Sequence, residues 1–525
     1  MKRRQSVLAC DACRMRKIRC DGEAPVCGQC RLYGSACKHD LPRKKRGPKP
    51  LNQRLDPSLS EPPPQTPACE DGIVPLQGDL SPHQPTASLG CAPGRSVTGS
   101  ATWHDHSRAS EIQLSLITTL EERGVSPADV VAKCIDMYIQ YRFPMMPTVH
   151  IKRLVEEGTP LLCRRAGGAW NQDQSPGDGN ILGMPQPSLR DMRSFALLAS
   201  LCSIICAVMQ GQLTSPYDLA MSEDFLSASR SMLSQYEDHD IEKPDSTSIV
   251  IRLFQSNTLH YFGRTRAAIH LLRTAWSVSL TLRLHNEVAL VERAGPMEAQ
   301  LLRNAFWSLY QADKSASVLN NVPAMMQEFC LNEPFTLAIE SPNEPALLLR
   351  GSQTLTGSQR YEEQAMAGFR LCTELWKTGA EILLDMKLLV YSRDRASMAR
   401  GEDGRQNGYD TAIMHSYVSF CGILDNLPSW LRNPDSHDPS DEDVASSPQR
   451  RGFWASRANL LVTYHCLRLI VLCSAEEHGL CHLLGLTSDE SILAIRKIKI
   501  AKDLLTFVRS VPFECLQANG EPCVS

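Results

Sequence analysis

From about residue 110 onward, apolar positions recur every three or four residues and strand-like alternation is scarce, so the spacing predicts an all-α domain over 110–525. A well-marked start lies at Ser126-Pro127-Ala128-Asp129: a capping serine, proline at the first helical position and an early acid. Val130, Val131, Cys134, Ile135, Tyr138 and Ile139 follow at helical spacing, and Pro144 sets the expected end. Further helices are predicted over roughly 190–210, 217–236, 247–260, 264–284, 298–319, 362–393, 409–427, 452–477 and 489–509. Glycine-rich breaks near 166–184, 341–358 and 400–408, and the acidic segment Pro434–Pro448, read as surface loops. The longest apolar run, Phe195 to Met209, is 15 residues and contains Ser200 and Ser203. Spanning a bilayer takes roughly 20 residues, so this run reads as a buried helix and no membrane partner is expected.

Ahead of residue 110 the pattern stops. Residues 51–109 hold nine of the 33 prolines, with Pro62-Pro63-Pro64 in a row, many Ser and Thr and no sustained period, the composition of a disordered linker. Three consecutive heptads do not occur in it, so no coiled coil is predicted there. A homodimer would have to form through the helical domain, and binding as a monomer stays open.

The formal charge of −3 over 525 residues hides an asymmetry. Residues 1–50 carry 14 Lys and Arg against 4 Asp and Glu, a balance of +10, which leaves 41 against 54, a balance of −13, for residues 51–525. One end is therefore built to meet an anion. Met1-Lys2-Arg3-Arg4 is charged like the start of a signal peptide, but only Val7-Leu8-Ala9 follows before Cys10, so secretion by that route is not expected. In a reducing compartment, clustered cysteines point to metal binding or catalysis rather than disulfides.

Six of the twenty cysteines, Cys10, Cys13, Cys20, Cys27, Cys30 and Cys37, form the pattern C-x2-C-x6-C twice over. Three thiolates per half are one too few for tetrahedral Zn²⁺, so two sites are complete only if two of the six sulfurs bridge. Such a binuclear cluster has no coordination position open to water or substrate, which makes the two zinc ions structural. Metal binding would supply the folding energy that so short a segment lacks. Between the second and third cysteines the first half carries Arg14, Arg16, Lys17 and Arg19, whereas the second half offers Arg31 alone. On an ideal wheel Met15 and Ile18 share one face and Arg16 and Lys17 flank the other, so a short helix could face the metals and a DNA groove together.

This constellation resembles the fungal zinc binuclear-cluster family of transcription factors. All six cysteines stand at the family spacing, Arg14 to Arg19 fills the basic first helix, and Pro25 precedes Cys27 where the family carries its inter-half proline. The resemblance implies double-stranded DNA as partner and a CGG-type triplet as target, with Lys17 and Arg16 at the bases and Arg14, Arg19 and Arg31 on phosphates. The basic stretch Arg43-Lys44-Lys45-Arg46-Gly47-Pro48-Lys49 within residues 38–50 reads as a nuclear-localisation signal, a phosphate-tracking arm, or both. It also resembles a subset of the family that regulates sugar and quinate utilisation.

Two further stretches resemble the family's middle homology region. Ala275-Trp276 with Leu282-Arg283-Leu284-His285 matches a pattern that usually reads Leu-Gly-Leu-His, and Arg303 to Lys314 matches an aromatic helix ending in an acid–base pair. Asn321-Val322-Pro323 stands where Gly-Arg-Pro is common. Asn321 can take the left-handed conformation of a glycine, whereas Arg283 could do so only at a cost. His478, Cys481 and His482 have the spacing of a metal face and Asp313-Lys314 that of an acid–base pair; both are read as structural, and the fourteen cysteines outside the cluster as packing residues. Hydrolase, metalloprotease and P-loop motifs are missing, so enzymatic activity is not expected. Asn519-Gly520-Glu521-Pro522 signals a turn into another helix three residues before the end, which suggests a shortened C-terminus.

The sequence thus predicts a nuclear regulator of RNA polymerase II genes, an activator working with transcription machinery or coactivators. Its pathway would be a secondary-metabolite gene cluster or, alternatively, carbon-source utilisation. A reading of another class is a helical protein that senses a small-molecule inducer and is tethered to chromatin by the cluster.

Overall fold

A computed structural model of the chain describes residues 10–11, 20, 25–27, 30–31, 36–38, 106–163, 187–213, 217–320, 322–327, 331, 333–341, 344–348, 355–398, 406–435 and 447–520. It divides into two units, Met1–Ser96 and Val97–Ser525, each described by itself. The first unit contains the cysteine cluster. The second is all helix, with no strand among its described residues.

Twelve principal helices build this second unit: α1 His106–Glu122, α2 Pro127–Met137, α3 Leu189–Val208, α4 Asp218–Leu233, α5 Ser246–Tyr261, α6 Thr265–Thr281, α7 Glu287–Arg293, α8 Pro296–Asn320, α9 Leu355–Met398, α10 Gln406–Gly422, α11 Ser447–Glu477 and α12 Glu490–Ser510. Most of them lie within a few residues of the stretches that the periodicity predicts. Helix α1 starts inside the stretch that composition assigns to the linker, and α7, with seven residues, is too short for a period to emerge. Helix α2 begins as its cap predicts, the Ser126 hydroxyl accepting from the Asp129 N–H at 3.4 Å. It passes at Tyr138–Arg142 into a wider π-helical turn, which ends just short of Pro144. The Tyr361 hydroxyl donates to the Ile139 carbonyl of that turn at 3.0 Å.

Helix α3 holds the apolar run and is buried along most of its length, packed against α2, α4 and α5. Its small polar residues are satisfied by neighbouring backbone: the Ser203 hydroxyl donates to the Ser222 carbonyl at 2.9 Å, and the Ser222 hydroxyl returns a bond to the Ser203 carbonyl at 2.8 Å. Helices α3 and α11 are long and apolar enough to cross a bilayer by length and composition, but 89% of the α3 stretch is buried against the rest of the unit. Serines and alanines let α4 approach closely, so the all-round apolar helix forms the centre of the first core. A second core gathers α9, α10, α11 and α12 around Leu375, Ile382, Phe420 and Leu467. At Gly452 on α11, an added Cβ would lie 2.1 Å from the Tyr361 hydroxyl oxygen, so the α9–α11 contact requires glycine there.

Helix α6 closes with a Schellman motif: the Leu284 N–H donates to the Ser279 carbonyl at 3.1 Å and the Arg283 N–H to the Leu280 carbonyl at 2.9 Å. The residue that turns the chain is Arg283, with φ of +53°, the one non-glycine residue in the left-handed region among those described. A side chain in this conformation costs about 1–2 kcal/mol. Partial compensation comes from Glu333, whose carboxylate oxygens lie 2.7 and 2.9 Å from the Arg283 guanidinium. Both partners are largely exposed, and solvent screening leaves such pairs with little net stabilisation. Arg283→Gly is therefore expected to stabilise the unit by up to about 1 kcal/mol in urea unfolding, the backbone strain less the entropy that glycine gives back. A loss of stability in that measurement would show the Glu333 pair outweighing the backbone strain.

Candidate metal centre

In the N-terminal unit, the C-x2-C pair of the second half brings two thiols to one place and Cys37 returns to them. The Cys27 N–H points at the Cys37 sulfur at 3.5 Å and the Cys30 N–H at the Cys27 sulfur at 3.4 Å, contacts that favour sulfur carrying negative charge. Cys10, from the first half of the repeat, completes this group. Its sulfur lies 3.8 Å from that of Cys27 and 3.5 Å from that of Cys30. The ligand atoms of Cys10, Cys27, Cys30 and Cys37 all fall within 4.8 Å of one another.

The donor set fits zinc. Zn–S bonds of about 2.3 Å in a tetrahedron place neighbouring sulfurs about 3.8 Å apart, close to the separations found. Cys10, Cys27 and Cys30 are 0–2% exposed, and Cys20 and Val26 pack against them. Desolvation, reinforced by the neighbouring thiols of Cys10, Cys27 and Cys37, pushes the Cys30 thiol up to about 12. Four sulfurs held this closely need a dication to become thiolates, which is the service a structural zinc performs. Among the described residues this is the one group of three or more His, Cys, Asp or Glu ligands gathered closely enough for an ion.

Arg31 follows Cys30 as Arg14 follows Cys13. It is exposed, its N–H donates to the Cys27 carbonyl at 2.9 Å and its guanidinium donates to the Val26 carbonyl at 3.1 Å. The Asp11 N–H donates to the Lys38 carbonyl at 2.7 Å, closing the ends of the module on each other, a contact no residue pattern announced. Cys13, the basic segment Arg14, Arg16, Lys17 and Arg19, and the arm residues Arg43, Lys44, Lys45, Arg46 and Lys49 lie outside the described residues.

The remaining candidates have structural settings. The Asp313 carboxylate accepts from the N–H groups of Met325 and Met326 at 2.9–3.1 Å, and the Lys314 ammonium donates to the Met326 carbonyl. Lys314 also lies 4.8 Å from the centre of the Tyr310 ring, and the pair staples the segment after α8. His478, Cys481 and His482 do not share a helical face, because α11 ends at Glu477 and Cys481 opens a separate 3-10 turn with its own side chain buried and His482 exposed. Cys134 and Cys206 pack with their sulfurs 3.9 Å apart in the first core.

Residues 8–46 match the fungal Zn(2)-Cys(6) binuclear cluster domain. Among similar proteins are the citrinin biosynthesis transcriptional activator mrl3 of Monascus ruber, 46% identical over 48 residues, and the maltose fermentation regulatory protein MAL33 of Saccharomyces cerevisiae, 46% identical over 46 residues. The first match covers 9% of each chain, and the second 9% of this chain and 10% of the relative. The sorbicillinoid biosynthetic cluster transcription factor 1 of Penicillium rubens is 30% identical over 176 residues, covering 29% of this chain and 27% of its own, a match that takes in residues outside the cluster module. The chain thus spans about a tenth to a quarter of the length of these relatives. No solved structure matches it. The repeated spacing, the sulfur geometry and these matches together establish that residues 8–46 are a fungal Zn(2)-Cys(6) binuclear cluster domain with zinc as its metal, and that the chain resembles the fungal transcription factors that carry it.

Proposed function

We propose that the chain is a nuclear, sequence-specific DNA-binding regulator that activates a secondary-metabolite gene cluster through CGG-type elements. The observation that carries this reading is the sulfur quartet within the matched domain, since a closed zinc site has no catalytic position and serves to hold a short basic segment in shape. Cys10, the first cysteine of its half, joins the second trio; by the internal repeat Cys27 would join the first, with Cys13 and Cys20 completing that site. Two bridging sulfurs then serve two zinc ions.

Arg14 to Arg19 begins directly after a metal ligand, so the cluster would hold it rigidly against a groove. Lys17 and Arg16 donate to guanine O6 and N7, while Arg14, Arg19 and Arg31 bind phosphates. The arm from Arg43 to Lys49 adds counterion release and nuclear import. The relatives named for citrinin and sorbicillinoid biosynthesis support the pathway assignment, and the maltose regulator supports carbon-source control as the second reading. Binding sites mapped across the genome distinguish the two by the genes beside them.

Selection of binding sites from random duplexes tests the assignment of roles. Lys17→Ala is expected to lose about 1–3 kcal/mol of discrimination at one base pair. Arg31→Ala should instead weaken binding to all sequences and lower the salt slope by about 1. A Lys17→Ala protein with unchanged motif and affinity would remove Lys17 from the reading helix.

A further inference from the structure

The helical unit holds a cavity of about 380 Å³ between α8, α9 and α11, closed on one side by the segment that Asp313 and Lys314 staple down. Helix α8 contributes Trp307, Tyr310 and Lys314, one stripe at helical spacing, and Phe335 stands beside them. Trp307 and Tyr310 meet edge to face, with ring centres 5.4 Å apart, which fixes an aromatic wall. Helix α9 supplies a second stripe through Lys377, Ala380, Leu384 and Lys387, and α11 adds Ile470 and Ser474.

The charges in this cavity are unevenly matched. Lys314 is committed to Asp313, the Met326 carbonyl and the Tyr310 ring. Lys377 is half-buried in the wall, and no hydrogen bond or ion pair to a described residue engages its ammonium. The one acid of the lining, Glu381, is exposed, as is the further lysine Lys387. An ammonium partly withdrawn from water, in a cavity that aromatic rings also line, favours an anion that also carries apolar surface. The volume is that of a small-molecule site rather than of a groove for a helix.

We propose that this cavity binds a small amphipathic carboxylate, its apolar body against Trp307, Tyr310 and Phe335 and its anion on Lys377. The site belongs to the helical unit and stands independently of how the cluster reads DNA.

Calorimetric titration of the full-length, zinc-loaded protein with 2-naphthoate, and with 2-naphthalenemethanol as the neutral counterpart, tests it. Binding of one naphthoate per chain is expected, with the alcohol about tenfold weaker. Lys377→Gln, a half-exposed position whose loss leaves the core untouched, should weaken naphthoate about tenfold and leave the alcohol unchanged. Ser474→Phe should fill the cavity and abolish both, with circular dichroism reporting that the helices are intact. Failure of naphthoate to bind at millimolar concentration overturns the proposal, as does an affinity indifferent to Lys377→Gln. Should Ser474→Phe fail to fold, the Lys377→Gln comparison decides alone.

Discussion

Cys10→Ala is expected to cost the N-terminal module both of its zinc ions, while Cys20→Ala costs one. The difference follows from geometry. Cys10 comes from the first half of the repeat yet stands with its sulfur 3.8 and 3.5 Å from those of Cys27 and Cys30. If it also serves its own half, removing it leaves both tetrahedra one sulfur short. Cys20 lies beside the quartet without belonging to it, so its loss should leave the second site whole. Native mass spectrometry should count two ions in the unaltered protein, one in Cys20→Ala and none in Cys10→Ala at limiting zinc. Specific DNA binding should disappear in Cys10→Ala, because metal binding is the folding energy of so small a module. The far-UV signal of the helical unit should persist. Two ions retained by Cys10→Ala would mean that the sulfurs are not shared.

The cluster was legible because metal coordination is read from counting. Six cysteines in two equal halves leave few ways to satisfy two tetrahedra, and a shared sulfur is the expectation before any coordinate is known. The long helices were legible for a similar reason, since a period of 3.6 repeats often enough in α3 or α8 to outweigh local exceptions. What escaped depends on partners distant in sequence. In the π turn at Tyr138–Arg142 the Ile139 carbonyl accepts from Tyr361, more than two hundred positions away, and no local propensity encodes that contact. The sequence flagged Arg283 as costly in a glycine's place, and the structure puts it in the left-handed region all the same. Its compensation, Glu333, lies on a loop fifty residues on. The lining of the cavity was present as aromatic and cationic residues on α8 and α9, but the apposition of those helices is tertiary information.

The same limit hid the most consequential polar group in the helical unit. Asp240 is 0% exposed and lies between Arg252, 2.5 Å from one carboxylate oxygen, and Arg193, 3.2 Å from the other. The Ser248 hydroxyl donates to it at 2.6 Å, and Arg193 reaches on to Asp245 at 2.5 Å. Arg252 is itself only 1% exposed and also donates to the Ser248 carbonyl at 2.7 Å. Nearby, burial first and the Asp240 charge second hold the Tyr236 hydroxyl well above its ordinary range, so it stays neutral and adds no second anion. Asp240→Leu would strand the Arg252 guanidinium in the core, and breaking a buried pair in this way costs about 3–5 kcal/mol. Urea unfolding of the full-length protein, followed at the helical transition, should register that loss. Arg252→Met in the same chain should recover a large part of it, because the desolvation penalty disappears with the charge. The recovery measures the coupling directly, and additive losses from the two substitutions would show that Asp240 and Arg252 stabilise the fold through other neighbours instead.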